Sequence, residues 1–152
     1  MFWNVMWRAI MPVKLTCLDC GQLNRVPDDK LGHGAKCGTC GAALMPSKPV
    51  EVDLATLEKA ARNDGLPLVV DFWAPWCGPC RAMAPEFSKA AQELAGKARL
   101  VKLNTDAYQA AGAKYHIRGI PTIAAFAGGR ERARQSGAMP AAALVNFVKS
   151  AV

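Results

Sequence analysis

The 152-residue sequence has no apolar run long enough to cross a bilayer; its most hydrophobic stretches are strand-sized, and a soluble chain is expected. The first residues, MFWNVMWRAIMPVK, have no basic leading region, no long apolar core and no small-residue cleavage site, so no secretory signal is expected there. Met11 before Pro12 reads as an alternative start, with residues 1–10 as an extension. There is no glycine-rich phosphate loop and no dinucleotide fingerprint, and Ser88 and His116 form no hydrolase constellation. Internal repeats, heptads and low-complexity segments are also missing, which excludes solenoids and coiled coils.

Basic residues are in excess without being clustered. The formal net charge of +7 invites a nucleic-acid reading, but Arg99, Lys102, Arg118, Arg130, Arg132 and Arg134 are spread along the chain. Four metal-bound thiolates and one divalent ion would lower the total to about +5. Residues 15–45 are nearly charge-balanced and contain no aromatic side chain, so no specific nucleic-acid contact is expected. Hydrophobic residues make up 51% of the chain, too many for a disordered one. The length suits one packed domain plus a small appendage.

What the sequence does contain is six cysteines, all in C-x-x-C pairs. In a secreted chain that number would suggest a disulfide scaffold; this grouping fits a reducing compartment, and a cytoplasmic location is expected. Cys17/Cys20 and Cys37/Cys40 are each followed by glycine, Gly21 and Gly41, with sixteen residues between the pairs. Thiolates two residues apart reach one ion, and four of them close a tetrahedral site with no open position, which is structural chemistry. One zinc ion is expected, with iron in a tetrathiolate site as the alternative. About thirty residues of this composition build little apolar core, so the ion would supply much of the module's folding energy. His33 reads as a loop histidine, since four cysteines already complete the ligand set.

The third pair, Cys77 and Cys80, ends the stretch Val69–Cys80, VVDFWAPWCGPC. A buried strand runs into a turn, and a helix follows. Cys77 falls at the helix N-cap, where free N–H groups and the dipole favour a thiolate, and Cys80 lies one turn deeper. Pro79 is tolerated in a first turn, and Gly78 leaves room for an approaching disulfide. Two thiols so placed form a reversible dithiol/disulfide couple. Asp71 is the exception in an apolar strand; burial there should raise its proton affinity and fit it to serve Cys80 as general base or acid. Lys102 is placed to face it from a neighbouring strand.

The chain divides as a tail over 1–14, a four-cysteine module over 15–46, a linker over 47–49 and a larger domain over 50–152. Val50–Val52 reads as an edge strand, Asp53 as the cap of a helix ended by Gly65, and Leu66–Trp73 as a central strand. A helix from Cys77 passes through Pro85, where a kink is expected. ARLVKLNTD is a strand, and Asp106 is expected to cap the short helix after it. Ile123–Ala127 and Arg130–Ser136 form a hairpin through Gly128–Gly129, and a final helix from Pro140 turns Leu144, Phe147 and Val148 inward. Pro121 precedes the hairpin, with its isomer open on sequence alone.

WCGPC, VVDFWA, KLNTD and IRGIPT together resemble thioredoxins over about 50–152, and the preceding module resembles the bacterial subclass with an N-terminal zinc-binding domain. The resemblance implies an α/β fold, a thioredoxin-like mixed central sheet flanked by helices, preceded by a small zinc-ribbon module. It assigns Trp73, Trp76, Gly78 and Pro79 to the active-site turn and Pro121 to a cis-proline facing the dithiol. Asp71 becomes the buried acid and Lys102 its neighbour, while Gly119, Ile120, Gly137 and Ala138 join the surface that receives protein substrates. The implied activity is protein-disulfide reduction by a monomer with no bound organic cofactor. The chain would be recharged by an NADPH-dependent flavin thioredoxin reductase. An oxidase or isomerase would be favoured by a histidine between the cysteines, and a non-catalytic zinc-binding interaction protein by loss of one of them; neither applies.

Overall fold

The computed structural model describes residues 12–32 and 34–152. The loop histidine His33, the apolar tail over 1–10 and the start at Met11 lie outside the described residues.

The module is built on an antiparallel hairpin of β1 (Pro12–Thr16) and β2 (Leu23–Pro27), with Thr16 opposite Leu23. The hairpin loop is the first cysteine turn; a single bridge between Lys36 and Ala43 frames the second. Leu15, Val26, Leu31 and Leu44 bury themselves with Cys17 and Cys37 in a small core of their own. The hairpin starts at Pro12, three residues ahead of Leu15, where the sequence alone would begin the module.

The larger domain holds a five-stranded sheet: β3 (Val50–Glu51), β4 (Leu68–Trp73), β5 (Arg99–Asn104), β6 (Thr122–Ala127) and β7 (Arg130–Ser136). Their spatial order is β3-β5-β4-β6-β7, parallel across the first three and antiparallel across the last pairings. Four helices complete the fold: α1 (Leu54–Asn63), α2 (Gly78–Glu93), α3 (Ala110–Lys114) and α4 (Ala141–Ala151).

Central β4 explains its own composition. Val70 and Phe72 pack on one face with Leu57 and Ala60 of α1 and Ala111 of α3; Val69 packs on the other with Met83 and Phe87 of α2 and Leu144 and Val148 of α4. With both faces covered, every position must be apolar unless chemistry demands otherwise. The two-residue period puts Asp71 on the Val69 face, and the parallel register puts Lys102 opposite it.

Local rules account for the remaining elements. Asp53 caps α1 by accepting the Thr56 N–H at 2.7 Å. Pro85 lies inside α2 without splitting it. Val50 and Glu51 form the expected sheet edge, and Ile120–Pro121 is cis. Phe147 is partly buried against the core that Leu144 and Val148 enter.

Two expectations are corrected. Asp106 does not cap α3, which starts only at Ala110 with no side-chain cap; Asn104 takes the capping role in the preceding turn, its Oδ1 accepting the N–H groups of Asp106 and Ala107 at 2.9 and 3.2 Å. An asparagine at the head of a turn reaches the donors two and three residues on, whereas Asp106 lies inside that turn as one of the donors. Arg99, counted among the dispersed surface charges, is 3% exposed and ion-paired with Asp64. Its place at the start of β5, beneath the module, takes it out of solvent. Among the described residues no helix is long and apolar enough to cross a membrane.

Candidate active site and metal centre

β3, β4 and β5 run parallel, so their C-terminal ends share one end of the sheet, and the turn after β4 emerges there. Ala74 anchors that turn, its carbonyl accepting the Cys77 N–H at 3.1 Å. Cys77 is then the N-cap of α2: its Sγ accepts the Cys80 N–H at 3.2 Å, a donor that the helix cannot satisfy internally. The two sulfurs are joined as a disulfide with Cα atoms 5.2 Å apart. Gly78 and Pro79 occupy the exposed first turn, where proline's missing N–H costs nothing.

Burial separates the two cysteines less than their positions in the helix suggest: Cys77 is 4% exposed and Cys80 2%. Cys77 is screened by the cis-proline loop, with the Ile120 carbonyl oxygen 3.7 Å from its sulfur. The way in is marked by Trp76, at 67% the most exposed large aromatic side chain among the described residues. Trp76, Arg118, Gly119 and Ile120 line a shallow groove of about 380 Å³ beside the disulfide. Gly137 joins the same surface by donating its N–H to the Pro121 carbonyl at 2.8 Å, and its φ of 96° is one that a side chain would resist. Ala138 follows, exposed.

On β4, six residues before Cys77, Asp71 is fully buried, and neither carboxylate oxygen has a hydrogen-bond partner among the described residues. Desolvation pushes it up to about 7, Lys102 pulls it back, and Glu51 adds to the rise. Lys102 extends its Nζ over the Trp73 ring, 4.5 Å from the centroid. Trp73 in turn packs against the cluster of Ala74, Cys77 and Cys80. An unpaired carboxyl in a strand core is costly to keep, and it stands here as a group poised to exchange a proton near neutrality.

The second site is the cysteine tetrad. Cys17 and Cys40 sulfurs lie 3.6 Å apart, as do those of Cys20 and Cys37, and all four fall within 4.8 Å of one another. Sulfurs about 2.3 Å from a tetrahedral zinc would stand roughly 3.8 Å apart, so the four fit an ion of that size. The two turns are near copies. Cys17 and Cys37 donate their N–H groups to Gln22 and Ala42 carbonyls at 2.8 Å, and Gly21 and Gly41 close the loops at φ of 80° and 79°. Those left-handed angles explain the glycine after each pair. The Cys20 and Thr39 N–H groups point at the Cys17 and Cys37 sulfurs, both at 3.4 Å. Cys37 is drawn down to about 6 by the backbone N–H of Cys40, then by Asn24 and Thr39. Such N–H donors favour thiolates, and a cation would relieve the repulsion among four of them.

Sequence reasoning missed the contact between the sites. Leu18, inside the first C-x-x-C, packs into the sheet core with Val52 and Leu57. With Asp19 it walls a cleft of about 610 Å³ whose other side includes Trp73, Asn104 and Tyr108. A large apolar residue between the two cysteines of the first turn was the available signal.

Comparison with known proteins covers both parts of the chain. Residues 48–150 match the family model described as Thioredoxin, and residues 16–42 the one described as Thioredoxin 2, N-terminal. The chain is 38% identical over 125 residues to thioredoxin C-3 of Corynebacterium nephridii, covering 82% of this chain and 86% of that one. It is 41% identical over 102 residues to a thioredoxin of Haemophilus influenzae, covering 67% and 95%. Among solved structures, chloroplastic thioredoxin z superposes with a TM-score of 0.63 at 33% identity, over 68% of this chain and 93% of that one. A point mutant of a thioredoxin from Halobacterium salinarum gives 0.64 at 29%, over 70% and 93%.

Asp71 sets a pH dependence with a definite sign. The folded chain keeps its proton to about pH 7, whereas an unfolded aspartate releases it near 3.8. The folded state therefore binds more protons in that window, and its stability falls as pH rises from about 4 to about 7, then levels. Asp71→Asn should melt like the parent at pH 4 and be more stable by the order of 2–4 kcal/mol at pH 8. Thermal unfolding at both pH values checks this; an unchanged difference between them contradicts it.

Proposed function

The chain belongs to the thioredoxin family, and from that premise we propose that it reduces disulfides in other proteins through Cys77 and Cys80. The observation that carries the reading is the Cys77 sulfur at the N-cap of α2, bonded to Cys80 and bordered by the Ile120 carbonyl and exposed Trp76.

In the reduced protein, the Cys77 thiolate attacks one sulfur of a substrate disulfide. The other substrate sulfur leaves and takes a proton, and a mixed disulfide remains. Cys80 gives its proton to Asp71, directly or through water, and attacks the Cys77 sulfur. That displaces the second substrate sulfur, which takes up the proton Asp71 had accepted, and closes the Cys77–Cys80 bond; the first leaving sulfur had drawn its proton from solvent. Two electrons and two protons have then passed to the substrate. Lys102 moderates the proton affinity of Asp71, and its position over Trp73 keeps that charge against the redox turn.

Substrates dock as extended segments on Gly119, Ile120, Pro121, Gly137 and Ala138, with Trp73, Trp76, Gly78 and Pro79 around the sulfurs. A shallow groove of this kind suits brief encounters with many proteins. The oxidised chain is recharged by a separate NADPH-dependent flavin reductase, a role left to a partner by a sequence with no dinucleotide fingerprint. Zinc is the ion for Cys17, Cys20, Cys37 and Cys40, and four sulfurs that fill a tetrahedron leave it structural. The chain works as a tail over 1–14, a four-cysteine module over 15–46, a linker over 47–49 and a catalytic domain over 50–152, acting as a monomer in the cytoplasm, where such thiols stay reduced.

Cys77→Ser should abolish reduction of insulin disulfides. Cys80→Ser should instead accumulate a covalent mixed disulfide, visible as a mass shift that reductant removes; normal turnover by either variant refutes the assignment. Elemental analysis of protein purified under reducing conditions should return one zinc per chain, and a metal-free tetrathiol would count against the metal reading.

A further inference from the structure

Asp64 immediately follows α1 and Arg99 opens β5; they are 7% and 3% exposed. Arg99 donates from both Nε and Nη2 to Asp64 Oδ2, a two-pronged pair between a planar guanidinium and a carboxylate. Both residues belong to the larger domain, yet that domain does not complete either of them. The other carboxylate oxygen of Asp64 accepts the Thr16 N–H at 2.9 Å, and Arg99 Nη1 donates to the Leu44 carbonyl at 3.1 Å. Thr16 directly precedes Cys17, and Leu44 lies just beyond the second cysteine turn, so the pair grips the module on both sides of the tetrad.

Further contacts converge on the same seam. The Gly65 N–H donates to the Lys14 carbonyl at 2.7 Å. A Cβ at Gly65 would lie 2.9 Å from Val13 Cγ1 and 3.3 Å from the Lys14 nitrogen, so glycine permits the approach of β1. Leu66 packs into the module's core, and Leu18 of the module packs into the sheet's.

We propose that the four-cysteine module is a fixed wall of the catalytic domain, clamped by Asp64 and Arg99, and that metal occupancy and catalytic-domain stability form one cooperative property. The inference rests on the tetrad's holding a metal ion. With the ion bound, the two turns hold Thr16 and Leu44 in place; once it is lost, those backbone groups drift and leave a buried pair short of partners, which is strongly destabilising. Linkage requires the reverse as well: a module held by the clamp binds its ion more tightly than one released from it.

The test uses the full chain, zinc-loaded and then stripped by chelator under reductant. It follows melting by circular dichroism and zinc affinity by competition with a chromophoric chelator. The expected result is a single transition that moves to lower temperature on stripping. Asp64→Leu combined with Arg99→Met removes both charges, and Gly65→Leu pushes β1 away while keeping them. Each should weaken zinc binding by at least about fivefold, although none of these residues is a ligand, and each should shrink the shift on stripping. A catalytic-domain transition that ignores zinc, or folded variants with parental zinc affinity, overturns the proposal; if a variant fails to fold, the parent's response to stripping decides alone. A chain that takes up no zinc fails the metal reading itself, and the inference with it.

Discussion

The backbone N–H of Cys80 has no partner within its own helix, and the sulfur of Cys77 accepts it. Helix beginnings leave such donors over, and most proteins use a serine or aspartate oxygen there. A sulfur in that role sits in a field that favours its ionised form, so the capping requirement and the nucleophile requirement are met by one atom. The rest of the larger domain fixes this atom in space. A strand buried on both faces delivers it, the cis Ile120–Pro121 loop closes over it, and Trp76 marks the approach.

The same strand carries a fully buried carboxyl with no ion pair or hydrogen bond among the described residues, two positions before Trp73. Its unpaired oxygens and its value of about 7 have one cause, removal from water with only a lysine nearby to offset it. The module uses cysteine in the opposite sense. There the sulfurs converge four at a time with no open position, and the glycines after each pair fix turns that aim N–H groups at them. One chain thus holds a sulfur pair built to change bonding and a sulfur tetrad built to keep it, joined along a seam where Asp64 and Arg99 share their valences with module backbone.

The turn, the central strand and the tetrad were legible because each rests on local rules: spacing of thiols, period-two burial and glycine where φ turns positive. Asp71 was legible as a charge in an apolar run, and Lys102 followed from a parallel register that a two-strand alignment could suggest. The seam was not. Asp64 and Arg99 are 35 positions apart and look like ordinary solvated charges, and only the docking of β1 against Gly65 takes them from water. Asn104 was missed for a related reason: aspartate and asparagine cap equally well, and the choice between Asn104 and Asp106 depends on where the chain leaves β5. The screening of Cys77 was not legible either, because the loop that covers it arrives from 43 positions away.

The account depends most on the ionisation of one sulfur. The direct measurement is the rate of alkylation of the reduced, zinc-loaded protein by iodoacetamide across the neutral and mildly alkaline range, with the modified cysteine identified by peptide mass. The account predicts that Cys77 is modified first and that its rate profile has a midpoint clearly below the value of about 8.5 for a free cysteine. Modification of Cys80 ahead of Cys77, or a Cys77 that stays unreactive until well above that value, would contradict it.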